Sequence, residues 1–162
     1  MPRLNPEHTE KLIELINQSP YFQLLNMSLQ EVDEGYCKVE MQLERKHLNA
    51  FGGIHGGAYA SLMDTAAYWA LYADLEEADG FTTLDLTSNN LRAIETGTLV
   101  AEGRVIKRGR SICLCEADIH DEQGRLMAHC ISKQLVGPTL QPISAATATL
   151  GSAPLPPKFL DR

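Results

Sequence analysis

Residues 58–73, AYASLMDTAAYWALYA, contain neither glycine nor proline and carry a single formal charge, that of Asp64. Their apolar side chains cover most faces of a helix instead of one stripe. A helix of that kind is stable only where protein surrounds it, because exposed apolar surface is unfavourable in water. We therefore predict a buried central helix here, with the rest of the domain packed around it.

Segments before and after this helix alternate apolar and polar residues, the pattern of a strand with one buried face. Cys37, Val39 and Met41, for example, alternate with Lys38 and Glu40. Short turns rich in Gly and Asp separate the segments, as they do in antiparallel hairpins. We predict strands at 24–32, 36–43, 81–91, 98–107, 111–120 and 126–136. The fold class is then α+β, an antiparallel sheet wrapped around a long central helix.

The two chain ends differ in pattern from the sheet region, which spans residues 24–137. The N-terminal segment 1–23 is predicted to form a helix over 6–18, with Pro6 in its first turn and Ser19-Pro20 at its end. The C-terminal segment 138–162 contains five of the eight prolines among small and polar residues. We expect this tail to be loosely ordered.

Length and composition fit one globular domain. The chain has 162 residues, 44% of them hydrophobic and 22% charged, which excludes a disordered or fibrous protein. A net charge of −7 argues against binding the phosphate backbone of a nucleic acid. We find neither an apolar signal segment near the start nor a membrane-spanning stretch, so a cytoplasmic location is expected. The four cysteines form no CxxC pair and are expected to be free, buried thiols.

Asp64 is the outstanding candidate for chemistry. A carboxylate inside an otherwise uncharged helix is costly to bury without partners, and ionisable groups in such places are often functional. Helical spacing puts Gly56, Ala60 and Ala67 on the same stripe, and these small residues leave room for a ligand. The alternative is a structural carboxylate that caps a nearby loop.

The loop that enters the helix, residues 47–57, reads HLNAFGGIHGG and is the second candidate. A helix N-terminus offers unpaired N–H groups to an oxyanion, and Gly56 and Gly57 let a substrate approach the backbone. No Lys-Ser/Thr pair follows, so this is not a phosphate-binding loop. The spacing of His47 and His55 does not suit two zinc ligands on one helix face, and we predict no metal site. His55 alone is equally compatible with a structural and a catalytic role.

A third candidate is the basic turn at 107–110, Lys-Arg-Gly-Arg, in an otherwise acidic chain. Asn89-Asn90-Leu91-Arg92 adds another cation at the end of a predicted strand. Two cationic loops suggest a small polyanion such as a nucleotide phosphate. The alternative is a solvated turn whose charges keep a sheet edge soluble.

Together these motifs resemble a known family. The spacing His47-x-Asn49-x-x-Gly52-x-x-His55-Gly56-Gly57, followed by Leu62-x-Asp64 and by Thr83-Leu84-Asp85-Leu86, is similar to that of the hotdog-fold acyl-CoA thioesterases. The similarity is to the phenylacetate-pathway type within the 4-hydroxybenzoyl-CoA thioesterase superfamily. It covers residues 24–136, and a downstream Asp at this distance from His-Gly-Gly makes it more specific than a Gly-Gly pair alone.

The resemblance implies a hotdog fold and a role for each matching residue. Asp64 would attack the thioester carbonyl or activate a water, and the Gly56 N–H would hold the oxyanion. Asn49 would position the water or the carboxylate, His55 would lie near the sulfur, and Thr83 would orient the water. The residues implied in substrate and coenzyme A binding are Gly57, Asn90, Leu91, Arg92, Arg108, Gly109, Arg110 and Ser111. One departure is Arg92, where many relatives carry Pro, so the contacts to coenzyme A there are expected to differ.

The resemblance also implies a homodimer or homotetramer with shared active sites and no cofactor, since coenzyme A is part of the substrate. Two rival functions remain open at this stage. One is a hotdog dehydratase or hydratase acting on acyl-CoA or acyl-carrier protein, and the other is a non-catalytic acyl-CoA-binding module. The acyl group, aryl or medium-chain, is also open, because aromatic residues near the helix are as typical of a core as of a pocket. These residues are Phe51, Tyr59, Tyr68, Trp69 and Phe81.

Overall fold

The computed structural model describes residues 3–160 and contains six strands and four α-helices in that range. The helices are α1 (Pro6–Ile16), α2 (Pro20–Leu25), α3 (Gly56–Tyr72) and α4 (Ile143–Thr149). The strands are β1 (Met27–Asp33), β2 (Tyr36–Gln42), β3 (Gly80–Asn90), β4 (Thr98–Lys107), β5 (Ile112–His120) and β6 (Leu126–Gly137).

The six strands form one antiparallel sheet in the order β1-β2-β4-β5-β6-β3, and α3 contacts all of them. Most of the α3 side chains are buried, among them Leu62, Met63 and Ala66. Gly103 on β4 lets the helix approach closely, because a Cβ there would overlap the Ala66 carbonyl. The predicted α+β arrangement, a sheet wrapped around a long central helix, is confirmed.

Strand β3 lies at an edge of the described sheet and pairs only with β6 within the chain. Most of its side chains are exposed. Its register is interrupted by a β-bulge, since Thr83 lies opposite Gln134 while Asp85 lies opposite Lys133, which leaves Leu84 as the extra residue. An edge strand of this length exposes unpaired backbone groups that another strand could pair with.

The N-terminal prediction needs a correction. The helix predicted over 6–18 ends at Ile16, and a second helix, α2, occupies Pro20–Leu25, where the first strand was predicted to begin. Pro20 starts this helix instead of only ending the previous one, because its missing N–H is harmless in a first turn. Asn26, with a φ of 53°, ends α2 and turns the chain into β1.

The expected loose C-terminal tail also needs a correction. Residues 138–160 include α4, and its apolar side chains Ile143 and Ala146 pack against the core. Lys158 is completely buried, with its Nζ 2.5 Å from the Tyr72 carbonyl oxygen and 2.6 Å from that of Leu75. The segment is therefore fixed by packing and hydrogen bonds despite its prolines. Residues 1–2 and 161–162 of the predicted terminal segments lie outside the described residues.

Residues 3–160 share two further features. None of their helices is long and apolar enough to cross a membrane. All four cysteines are free and buried, as predicted.

Candidate active site

Asp64 and Thr83, which the sequence singled out separately, are brought together by the fold. Asp64 lies half-buried in the middle of α3, and the Thr83 hydroxyl oxygen on β3 is 2.8 Å from Asp64 Oδ1. Burial raises the pKa of the Asp64 carboxyl, and the hydrogen bond from Thr83 partly offsets this. A carboxyl whose pKa is shifted towards neutrality is suited to accept and return a proton.

Two buried polar residues behind Thr83 were missed by the sequence analysis. Gln134 and Ser132 on β6 are both fully buried, and Gln134 Oε1 lies 3.0 Å from Thr83 Oγ1. The signal was present, because alternation along β6 puts both on the same inward face as Cys130 and Val136. Two amide or hydroxyl side chains on an otherwise apolar strand face need partners, and here the partner is the candidate site.

The start of α3 presents the second set of predicted residues. His55 Nδ1 accepts the Gly57 N–H at 2.8 Å, so Nδ1 carries no proton and the hydrogen of the neutral ring is on Nε2. The N–H of Gly56 has no acceptor among the described residues. A Cβ on Gly56 would lie 2.9 Å from Asn90 Nδ2, so the Asn90 amide packs against the Gly56 Cα. Gly56 and Asn90 therefore form one polar corner with an unused donor.

Asn49 is held inside its own loop. Its side-chain oxygen accepts the Phe51 N–H at 2.8 Å, and its Nδ2 lies 3.4 Å from the Ile54 carbonyl oxygen. Within one chain the structure does not bring Asn49 to Asp64. Its local role is to shape the turn that leads into α3.

Asp64 and Gly56 are also separated, since they lie eight residues apart on one helix. At the helical rise this corresponds to about 12 Å along the axis. A thioester carbonyl can contact the Asp64 carboxylate or the Gly56 N–H of one chain, but not both. The two halves of the predicted catalytic set are therefore not one site within a single subunit.

The residues predicted to bind coenzyme A are likewise divided between the two ends of α3. Arg92 lies at the helix start, where its carbonyl oxygen accepts the Tyr59 hydroxyl at 3.0 Å. Arg108 lies at the other end, where it lines a cavity of about 520 Å³ together with Asp74. The remaining predicted residues divide in the same way, with Asn90 and Leu91 at the helix start and Gly109, Arg110 and Ser111 at the other end. These two ends of α3 are about 25 Å apart.

The aromatic residues considered for an acyl pocket also separate into groups. Tyr68, Trp69 and Phe81 line a cavity of about 550 Å³ together with residues of α4. The rings of Tyr68 and Phe81 stack with centroids 3.9 Å apart. Tyr68 lies one helical turn after Asp64, and Phe81 lies two residues before Thr83. Phe51 is almost fully exposed, and Tyr59 is buried. A cavity with aromatic walls of this kind accepts apolar groups.

The described residues contain no group of three or more His, Cys, Asp or Glu side chains placed to hold a metal ion. His47 is buried, with Nδ1 accepting the Glu44 N–H at 2.9 Å and Nε2 lying 2.8 Å from the Leu25 carbonyl oxygen. Both of its ring nitrogens are thus engaged in fixing the loop before α3.

The chain is similar in sequence to several known proteins. A family model described as the thioesterase superfamily matches residues 51–128. The chain is 31% identical over 102 residues to ComA2 of Bacillus subtilis, an alignment that covers 60% of this chain and 76% of that relative. It is 27% identical over 109 residues to 1,4-dihydroxy-2-naphthoyl-CoA hydrolase of Listeria monocytogenes, covering 67% and 87% of the two chains.

Among solved structures, the E. coli PaaI protein from the phenylacetic acid degradation operon superposes with a TM-score of 0.73. The sequence identity is 22%, and the superposition covers 82% of this chain and 95% of PaaI. This likeness concerns the fold, and it confirms the hotdog architecture that the family resemblance implied.

Proposed function

The chain belongs to the thioesterase superfamily, and from that premise we propose that it hydrolyses an acyl-CoA thioester to a free acid and coenzyme A. The observation that carries this proposal is the Asp64–Thr83 pair, a half-buried carboxyl with its hydroxyl partner at 2.8 Å. The relative from Listeria monocytogenes, by its name, acts on an acyl-CoA ester. Coenzyme A enters the reaction as part of the substrate.

Two routes use the same groups. In one, Asp64 takes a proton from a water whose oxygen adds to the thioester carbonyl carbon. In the other, the Asp64 carboxylate itself adds to that carbon and water later hydrolyses the anhydride. In both, the carbonyl oxygen becomes an oxyanion that the Gly56 N–H stabilises, the C–S bond breaks, and the departing sulfur takes up a proton.

Each active site is proposed to combine two chains. The separation of about 12 Å between Asp64 and Gly56 on one helix requires the oxyanion donor to come from elsewhere. Strand β3 is an edge, and antiparallel pairing of two copies about a two-fold axis would bring the start of one β3 beside the end of the other. Gly56 of the partner subunit would then face Asp64 and Thr83. This arrangement forms in a dimer or in a tetramer of two such dimers.

The same pairing accounts for the divided coenzyme A residues. It would bring Asn90 and Arg92 of the partner subunit towards the turn that carries Arg108 and Arg110. The nucleotide phosphates of one substrate could then contact both basic segments.

The activity is tested by measuring thiol release from a panel of acyl-CoA esters, with aryl and medium-chain members. Hydrolysis releases one free thiol for each ester consumed. A dehydratase or hydratase would instead change the acyl group and leave the thioester intact, and a binding module would retain the ester unchanged. No thiol release from any member, in protein that binds acyl-CoA, would overturn the proposal. The preferred member of the panel identifies the acyl class.

The shared site is tested by mixing two inactive proteins, Asn49→Ala and Asp64→Ala. After unfolding and refolding together, roughly half of the dimers are mixed, and in each of these one site carries both defects and one carries neither. Roughly a quarter of all sites should therefore recover activity. If both residues act in the same chain, every site keeps one defect. Mixed dimers that are verified by mass labelling and show no recovery would contradict the composite site.

A further inference from the structure

A chain of hydrogen bonds begins at Asp64 and ends at a backbone carbonyl of strand β3. The Thr83 Oγ1 lies 2.8 Å from Asp64 Oδ1 and 3.0 Å from Gln134 Oε1. Gln134 Nε2 donates to the Ser132 hydroxyl oxygen at 2.8 Å, and the Ser132 hydroxyl donates to the Asp85 backbone carbonyl at 3.0 Å. Because Gln134 and Ser132 are fully buried, water does not replace these bonds.

The direction of this chain is set at its far end. A backbone carbonyl can only accept, so the Asp85 carbonyl is paired only while the single hydrogen of the Ser132 hydroxyl points to it. The Ser132 oxygen then accepts the Gln134 amide hydrogen, and this orientation points the Gln134 carbonyl oxygen at Thr83. Thr83 therefore has one hydroxyl hydrogen and two acceptors competing for it.

The number of available hydrogens makes the hydrogen-bond chain favour the protonated form of Asp64. With Asp64 protonated, Asp64 donates to Thr83, Thr83 to Gln134, Gln134 to Ser132 and Ser132 to Asp85, and all four bonds form. When Asp64 is ionised, the Thr83 hydroxyl donates its hydrogen to Asp64. The oxygens of Thr83 and Gln134 then face each other with no hydrogen between them. If the Gln134 amide turns over, its N–H donates to the Thr83 oxygen and its carbonyl oxygen faces Ser132. The Ser132 hydroxyl must then donate to Gln134, and its hydrogen bond to the Asp85 carbonyl is lost. Every arrangement of the ionised state lacks one bond.

We propose that Gln134 is a positioning residue of this site, which acts through Thr83 to make Asp64 hold a proton more tightly, and that Ser132 fixes the amide orientation this requires. The proposal rests on the proposed function in so far as Asp64 is the reacting carboxyl. In the water-activation route, Asp64 takes one proton from the attacking water and holds it while the four-bond chain is complete. It returns that same proton to the sulfur when the C–S bond breaks.

Other titratable groups near Asp64 act in a different pH range. On its own helix the neighbouring group is Tyr68, whose pKa burial raises to about 12. From β6 it is Cys130, whose pKa burial raises to about 11. Both are uncharged near neutral pH, so neither adds or removes charge while Asp64 titrates. Burial of Asp64 favours its protonated form in the same direction as the hydrogen-bond chain.

The test is a pH titration of Asp64 in three variants, followed by the carbon-13 shift of its side-chain carboxyl in protein labelled at aspartate. Asp64→Asn assigns the signal. Gln134→Met keeps the side-chain volume and removes the competing acceptor, and Ser132→Ala frees the Gln134 amide to turn and donate to Thr83. Both changes should lower the Asp64 titration midpoint, by about half to one pH unit for one net hydrogen bond. Thr147→Val, which removes a buried hydroxyl in α4, is the matched control and should leave the midpoint unchanged.

The sign of the shift decides the outcome. An unchanged midpoint would show that Gln134 and Ser132 only fill space, and a raised midpoint would show that the amide already donates to Thr83; either result overturns the proposal. Ser132→Ala removes a single oxygen and decides alone if Gln134→Met does not fold. The acid limb of kcat/KM should move with the titration. Because the titration needs no turnover, absence of thiol release would reject the proposed function and leave this result standing.

Discussion

The two ends of α3 differ in whether their unpaired backbone groups have a hydrogen-bond partner. At the start, Gly56 and Gly57 lie near the surface, and the Gly56 N–H has no acceptor among the described residues. At the far end, the ammonium of Lys158 donates hydrogen bonds to the carbonyl oxygens of Tyr72 and Leu75. The ammonium also lies over the aromatic ring of Tyr72, which packs against that of Trp69. Every helix end has backbone N–H or C=O groups without an intrahelical partner, so the difference lies in which side chains the protein places beside them.

This difference separates two tasks along one helix. The far end is completed by the chain's own side chains and contributes to stability. At the start, the Gly56 N–H has no acceptor among the described residues, and under the proposed function it would serve the substrate bound at a second subunit, with Asp64 between the two ends. Changes at Asp64 should therefore alter the reaction while the fold persists, and changes at Lys158 should do the reverse.

The largest expected effect is that of Asp64→Asn. The amide keeps the shape of the side chain but cannot act as base or nucleophile, so kcat should fall by at least roughly 100-fold. The unfolding transition should move little, which is checked by thermal denaturation. Asp74→Asn is the matched control, because it alters a half-buried carboxyl just beyond the other end of α3 and should leave kcat within about twofold. Near-normal turnover in folded Asp64→Asn would remove Asp64 from the mechanism.

Lys158→Met should lower stability and leave kcat unchanged. The methionine fills a similar volume, but the Tyr72 and Leu75 carbonyls lose their donor, which should reduce the free energy of unfolding by about 2 kcal/mol. Denaturant unfolding measures this, with the exposed Lys46→Met as the control. A loss of kcat without loss of stability would mean that the far end of α3 takes part in the reaction.

An effect of similar size should appear in the pH dependence of the same pair of proteins. Burial lowers the pKa of Lys158 to about 8, from 10.5 in an exposed lysine. Between these values the unfolded chain binds more protons than the folded one, so this group adds stability as the pH rises. The difference in unfolding free energy between wild type and Lys158→Met should therefore widen from pH 8 to pH 10, by on the order of 2 kcal/mol. A narrowing difference would show that the charged form is the stabilising one.

The smallest effect is expected from the basic turn. Arg108→Ala combined with Arg110→Ala should raise KM for CoA esters several-fold, equivalent to about 1 kcal/mol, and flatten its dependence on salt. A short thioester without the nucleotide should not respond. The double variant Lys11→Ala with Lys46→Ala removes the same charge elsewhere and serves as the control. Equal effects on both substrates would show that the turn does not act through the phosphates.

The sequence predicted the elements whose pattern is local. Residues 58–73 identified the central helix because nearly every position is apolar, and hairpin turns delimited the later strands to within a residue or two. The motif residues between His47 and Asp64 also indicated the family.

What the sequence did not predict depends on contacts between distant segments. Lys158 is a lone lysine among prolines, and only the folded chain brings it to the end of α3. Pro20 was interpreted as a helix end, although proline is equally acceptable in a first turn. Ser132 and Gln134 lie about fifty residues beyond Thr83, so their relation to it depends on the β3–β6 register and the bulge at Leu84. The separation of Asp64 from Gly56 is different, because it follows from the helical rise and their spacing of eight residues along the chain.

The buried cysteines have a practical consequence for measuring this protein. A thiol reagent reacts with a thiolate that it can reach, and all four cysteines are buried. Burial also raises the pKa of Cys115 to about 12 and that of Cys130 to about 11. The folded protein should therefore contribute almost no background when released coenzyme A is titrated with such a reagent. Once the chain unfolds, all four thiols become reactive. The reagent that counts product in the native protein thus also counts unfolded molecules under denaturing conditions, so that one absorbance signal separates an inactive variant from an unfolded one.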